Sequence, residues 1–150
     1  MHNYKMKKKI LKIFFFLIFL TSLTAQQKYN FEHVSIPNGL SNGQVWDIIQ
    51  DKYGFLWIAT QDGLNRYDGY NFRIYKNDPG NSKSLSNNSI HALMIDGEGT
   101  LWVGTQSGLC RYDRANETFK TFFPDSNRTN VPINIIFNVV EDSRGRIWLG

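Results

Sequence analysis

From Val45 onward the apolar residues come in short bursts separated by Gly, Asp and Asn. Val45–Gln50 ("VWDIIQ") is β-branched and aromatic, and it runs into Asp-x-x-Gly. Phe55–Thr60 ("FLWIAT") follows, then Leu64–Tyr67 and, beyond Asp68-Gly69, Phe72–Tyr75. Such bursts are too short for helices. Asp can accept hydrogen bonds from a turn backbone and Gly takes up positive φ, so the pattern predicts four antiparallel strands joined by tight turns. In the second burst Phe55, Trp57 and Ala59 alternate with Leu56 and Ile58, so both faces are apolar and cover is expected on both sides of the sheet. No convincing helical period follows residue 25.

The pattern then returns. "DKYGFLWIATQDGLNRYD" (Asp51–Asp68) and "DGEGTLWVGTQSGLCRYD" (Asp96–Asp113) agree at 11 of 18 positions, and "DSRGRIWLG" (Asp142–Gly150) opens a third copy. The recurring positions are Asp51, Asp96 and Asp142; Gly54, Gly99 and Gly145; Trp57, Trp102 and Trp148; and Gly63 and Gly108. Repeats at about 40–84, 85–131 and 132–150 follow, after a "Leu-Ser-Asn" lead at Leu40 and Leu85. Four short antiparallel strands per period of about 45 residues, apolar on both faces, is the blade of a β-propeller. The expected fold is therefore all-β: two full blades and the start of a third. One blade cannot cover itself, so its neighbours must.

Recurrence also assigns roles. The three Trp read as wedges between blades rather than ligand-stacking rings, and the three Asp as turn formers rather than a carboxylate cluster. Ala59, Gly104 and Gly150, two residues past each Trp, are small enough to let another backbone approach. Arg66 and Arg111 are expected to reach the neighbouring Asp68 and Asp113. "YNFEHVSI" (Tyr29–Ile36) reads as a strand that closes the ring by pairing with the last blade.

Charge changes the picture once the leader is removed. The chain carries a formal net charge of +4. Lys5, Lys7, Lys8, Lys9 and Lys12, the apolar run Ile10–Leu23 and the small pair Thr24-Ala25 have the parts of a secretory signal peptide over residues 1–25. An uncleaved anchor is the alternative. Without those five Lys, residues 26–150 are slightly acidic, so no contact with nucleic acid is expected of them. Membrane contact is expected only through the leader or a later span. Cys110 is the sole cysteine and stands where the first copy has Asn65, so it reads as a core-edge residue and not a nucleophile.

Catalytic constellations do not emerge. His2, His33 and His91 lack metal-ligand spacing, and neither a Gly-x-Ser-x-Gly elbow nor a phosphate-cradling loop is present. Asp125–Asn130 alternates oxygen side chains but lacks the Gly and Glu of a calcium loop. No catalytic residue, metal or cofactor is assigned. The variable pieces are Lys76–Ser84, Arg114–Thr118 and Pro124–Pro132, rich in Asn, Ser and Asp. Binding residues gather in such loops when rigid strands present them.

"LSNNSIHALMIDGEGTLWVGTQSGL" (Leu85–Leu109) resembles the two-component regulator propeller repeat, as does "GLNRYDGYNF" (Gly63–Phe72) at the end of the first unit. The first copy departs from that pattern at Gly43 and Ala59, and the third lacks the Leu-Ser lead. The resemblance implies the N-terminal part of a hybrid two-component sensor. Such a sensor has two propellers and an immunoglobulin-like domain in the periplasm. Past an inner-membrane span come a histidine kinase, a receiver and often a DNA-binding domain. It further implies an oligosaccharide ligand and a homodimer. The alternatives are a secreted propeller enzyme acting on carbohydrate, sialidase- or lyase-like, and a lectin-like scaffold. The spacing of Asp96, Gly99, Thr100 and Trp102 does not match a sialidase Asp-box.

Overall fold

The computed structural model describes residues 30–123 and 134–150. The leader, Tyr29, the Asp125–Asn130 stretch and the Pro124–Pro132 loop lie outside them. Val34–Gly150 packs as one unit.

Among the described residues, ten strands form three antiparallel sheets. The first holds β1 (Val45–Gln50), β2 (Leu56–Thr60), β3 (Gly63–Tyr67) and β4 (Phe72–Tyr75), in chain order. The second repeats it with β5 (Ile90–Ile95), β6 (Leu101–Thr105), β7 (Gly108–Asp113) and β8 (Thr118–Phe122). A third pairs β9 (Val139–Glu141) with β10 (Ile147–Leu149). These are successive propeller blades. Among the described residues the only helical piece is a 3-10 turn, Ile36–Asn38.

Register decides which residues face the next blade. Ile49 pairs with Trp57, Ala59 with Leu64 and Leu64 with Tyr75, which puts their side chains on one face of the first sheet. That face meets Leu93, Leu101, Val103, Cys110, Tyr112 and Phe119 of the second sheet, forming one buried cluster with Leu85 and Ile90. The opposite face of the second sheet supplies Ala92, Leu109, Met94 and Trp102, which pack with Ile136, Val139 and Ile147 of the third. Burial of the repeated Trp follows the cover available. Trp57 is fully buried, Trp102 partly so, and Trp148 is 57% exposed with no sheet over it among the described residues.

At Gly104 two blades approach closely. A Cβ there would stand 2.9 Å from both the carbonyl oxygen and Cγ2 of Ile136, so the small residue makes room for the backbone of the third blade. Gly63 and Gly108 instead take φ of +121° and +111° in the β2–β3 and β6–β7 turns. Their amides donate across blades, to the carbonyls of Asn88 and Asn134, each at 2.7 Å.

Two expectations need correction. Cover on both faces holds for β2 but not for β1, whose Trp46 and Ile48 are exposed. Over that outer face lies the lead segment, with Leu40 buried and the Ser41 amide donating to Asn65 Oδ1 at 2.9 Å. Residues 30–35 form no strand, and Phe31 is 95% exposed. An extended segment becomes a strand only when a neighbour takes its backbone groups, and among the described residues none is paired with it.

Candidate functional site

Each blade is built around the same lock. Asp51 Oδ1 accepts from the amides of Tyr53 and Phe55 across the β1–β2 turn, while Oδ2 accepts the Trp57 indole N–H at 3.0 Å. Asp96 does the same for Glu98, Thr100 and the Trp102 indole at 2.8 Å. Asp142 serves Arg144, Arg146 and the Trp148 indole at 2.9 Å. Gly54, Gly99 and Gly145 all have positive φ in these turns. One carboxylate thus fixes both the turn and the orientation of the wedge. The carboxylates form no common cluster, and among the described residues no group of three metal-ligating side chains exists.

The carboxyls respond to these partners. Burial works against the charge on Asp51, but the Trp57 indole, Arg114 and the two turn amides outweigh it and hold the group below its ordinary range. Asp96 is lowered in the same way, its burial outweighed by the Trp102 indole and turn amides. At the more open Asp142 the Trp148 indole and the Arg146 amide bring the value to about 2.

The two arginines part company. Arg66 does not turn back to Asp68. It crosses to the next blade, donating to Glu117 Oε1 at 3.1 Å and to the Tyr112 hydroxyl at 3.4 Å, and Glu117 also pairs with Arg73. Asp68 and Asp113 instead close their own turns, accepting from the amides of Tyr70 and Asn71, and from that of Ala115. Arg114 crosses blades too, pairing with Asp51 and lying over the Tyr53 ring at 4.1 Å. Arg111, equivalent to Arg66, is exposed, and among the described residues its side chain makes no hydrogen bond. Cys110 is buried, its sulfur 3.2 Å from Ser86 Oγ, in the place where Asn65 bonds Ser41 in the first blade.

Two of the three variable loops meet in a groove of about 990 Å³ beside β8. Its wall includes Asn81, Ser82 and Lys83 on one side and Arg111, Asn116 and Lys120 on the other. The loop is held rigid. Ser84 Oγ receives the Asp78 amide, Asn81 Oδ1 the Lys83 amide, and the Lys83 carbonyl takes the edge amide of Phe119 at 2.8 Å. Preset hydroxyl and amide groups, with Asp78 and Asp113 beside the cationic Lys83, Arg111 and Lys120, surround an open groove that suits a polyhydroxylated ligand. Arg111 and Lys120 were not legible as groove residues, because strand neighbours only become groove neighbours once the Lys76–Ser84 loop folds over the sheet edge.

Comparison with known proteins agrees with this architecture. The two-component regulator propeller family matches residues 39–62 and 84–107. Histidine kinase P4 of Formosa agariphila is 42% identical over 77 residues, which are 51% of this chain and 6% of that protein. Among solved structures, this chain resembles the extracellular domain of BT3049 from B. thetaiotaomicron, described as a hybrid two-component system. The TM-score is 0.69 at 30% identity, covering 79% of this chain and 17% of that one. The extracellular domain of BT4673 from the same organism, described as a one-component system, superposes with a TM-score of 0.64 at 25% identity, covering 82% and 18%. The chain therefore spans a small part of each of these proteins.

Proposed function

We propose that the chain, whose repeats match the two-component regulator propeller family over residues 39–62 and 84–107, is the exported, ligand-sensing segment of a hybrid two-component signalling protein. In this reading it lies in the periplasm, and its parent is a dimeric inner-membrane protein. It binds an oligosaccharide without altering it and changes the output of a linked histidine kinase. The single observation that carries the proposal is the pairing of this repeat with a solved extracellular domain of a hybrid two-component system over 79% of the chain. The rigid loop groove, lined by hydroxyl, amide and charged side chains, supports binding of a polyhydroxylated ligand.

Calorimetry of the intact protein against a panel of glycans, with product analysis of the same mixtures, tests the reading. Saturable binding of an unchanged glycan together with altered kinase autophosphorylation is the expected result. Steady release of cleaved sugar would replace the sensor with an enzyme, and absence of binding to every glycan would remove the oligosaccharide.

A further inference from the structure

The innermost strands carry a feature that the repeated frame does not require. β1 and β5 each contain a bulge at the same register, between Val45 and Asp47 and between Ile90 and Ala92. The extra residues are Trp46 and His91, and Phe137 occupies the same place ahead of β9. A bulge re-aims a side chain out of the pleat, and bulges gather beside binding sites. Here the two re-aimed rings and Phe137 touch in a row. Trp46 and His91 have centroids 5.5 Å apart, His91 and Phe137 5.0 Å.

The row is open where packing residues would be closed. Trp46 is 49% exposed and Phe137 64%, with His91 partly buried between them. Its immediate partners are polar and uncharged. The Trp46 indole N–H donates to Gln61 Oε1 at 3.3 Å, Ser89 Oγ donates to the same oxygen at 3.2 Å, and Ser89 Oγ lies 3.4 Å from His91 Nε2. Among the described residues, buried His91 Nδ1 has no hydrogen-bond partner. Burial also holds this imidazole below its ordinary value and so neutral.

We propose that Trp46, His91 and Phe137 form a stacking subsite for a pyranose unit of an uncharged glycan, with Gln61 and Ser89 taking hydroxyls at its rim. A pyranose offers a face of C–H groups bordered by hydroxyls, which matches apolar ring surface bordered by an amide and a hydroxyl. No acidic or basic side chain is among the row's direct partners, so a charged sugar would gain no opposite charge there. The residue type varies between blades at this one position (Trp, His, Phe), whereas Asp, Gly and Trp of the frame are repeated. Packing between blades therefore does not dictate what stands here. The inference deepens the oligosaccharide reading and rests on it.

The test titrates the intact protein with neutral glycans while following tryptophan emission and, in parallel, heat. Binding is expected to shift the emission. Trp46→Ala and Phe137→Ala should each weaken affinity by about tenfold or more. Trp46→Phe should retain most of the binding but lose the emission shift. Tyr70→Ala, at an exposed ring on a separate turn, should bind as wild type. Unfolding midpoints show whether the alanine variants are folded, and both replace exposed rings. A glycan that binds the Trp46 and Phe137 variants as tightly as wild type overturns the subsite and leaves the sensor reading intact. Failure of every glycan to bind wild type overturns both.

Discussion

Asp51 is the residue on which most of one blade depends. Its two oxygens satisfy two turn amides, a buried indole N–H and the Arg114 guanidinium from the next blade. Removing them leaves a fully buried donor without an acceptor, so Asp51→Ala should cost about 2–4 kcal/mol in a urea titration. Because the carboxyls of Asp51, Asp96 and Asp142 lie below their ordinary range, the unfolded chain takes up protons first as the pH drops. Their contribution is whole above the unfolded values near 4 and fades as the pH falls towards about 2, the value at Asp142. The urea midpoint should therefore be level from pH 7 to about 5 and fall below about 4, with a shallower fall in Asp51→Asn. A midpoint that rises on acidification would contradict the sign. Gly104 tests a different force. A methyl group there meets the Ile136 carbonyl at 2.9 Å, backbone that cannot rotate away, so Gly104→Ala should cost about 1–3 kcal/mol although the equivalent position already holds Ala59.

Between elements, the charged contacts run from one blade to the next. Arg66 and Arg73 leave β3 and β4 to meet Glu117, which holds a positive φ of 52° in the β7–β8 turn. Both partners are partly open to solvent, so a double-mutant cycle on Arg66 and Glu117 should return a coupling of about 1 kcal/mol or less, shrinking at high salt. A larger, salt-independent coupling would mark a buried pair instead. This contact also shows what sequence reading could reach. The strands were legible because period-two patterning and Asp-Gly turns are local, and β1–β4 fall within one residue of the expected bounds. The Asp–indole lock spans six residues and depends on hairpin register, so the repeated Asp showed as a turn former and its hold on Trp did not. Arg66 and Glu117 lie 51 residues apart and meet only when two sheets are stacked. The bulges were hidden as well. Val45–Gln50 and Phe55–Thr60 have equal lengths in the sequence, and the shift between Val45 and Asp47 shows only in the strand pairing.

At the scale of the whole molecule, stability comes from the joints between blades. Trp57, Ala59, Leu64 and Tyr75 are buried in the same cluster as residues of the second blade, while Trp148, which no following sheet covers among the described residues, is open. The same frame residue is thus core or surface according to its neighbour. Such an array gains its stability from nearest-neighbour interfaces, not from each unit alone. Fully burying a large apolar side chain contributes about 1.5–3 kcal/mol, and a domain's net stability is only about 5–15 kcal/mol. Exposing the four first-blade residues of this cluster would therefore consume most or all of that margin. A chain comprising Val34–Ser84 should show no cooperative urea transition, and its tryptophan emission should resemble that of solvent-exposed indole. Extending the chain through the second blade, whose Leu93, Val103, Tyr112 and Phe119 cover Trp57, should restore a sharp transition and shift the emission to the blue. A sharp two-state unfolding curve from Val34–Ser84 alone would show that a blade holds itself together, and the interface account of this fold would then be wrong.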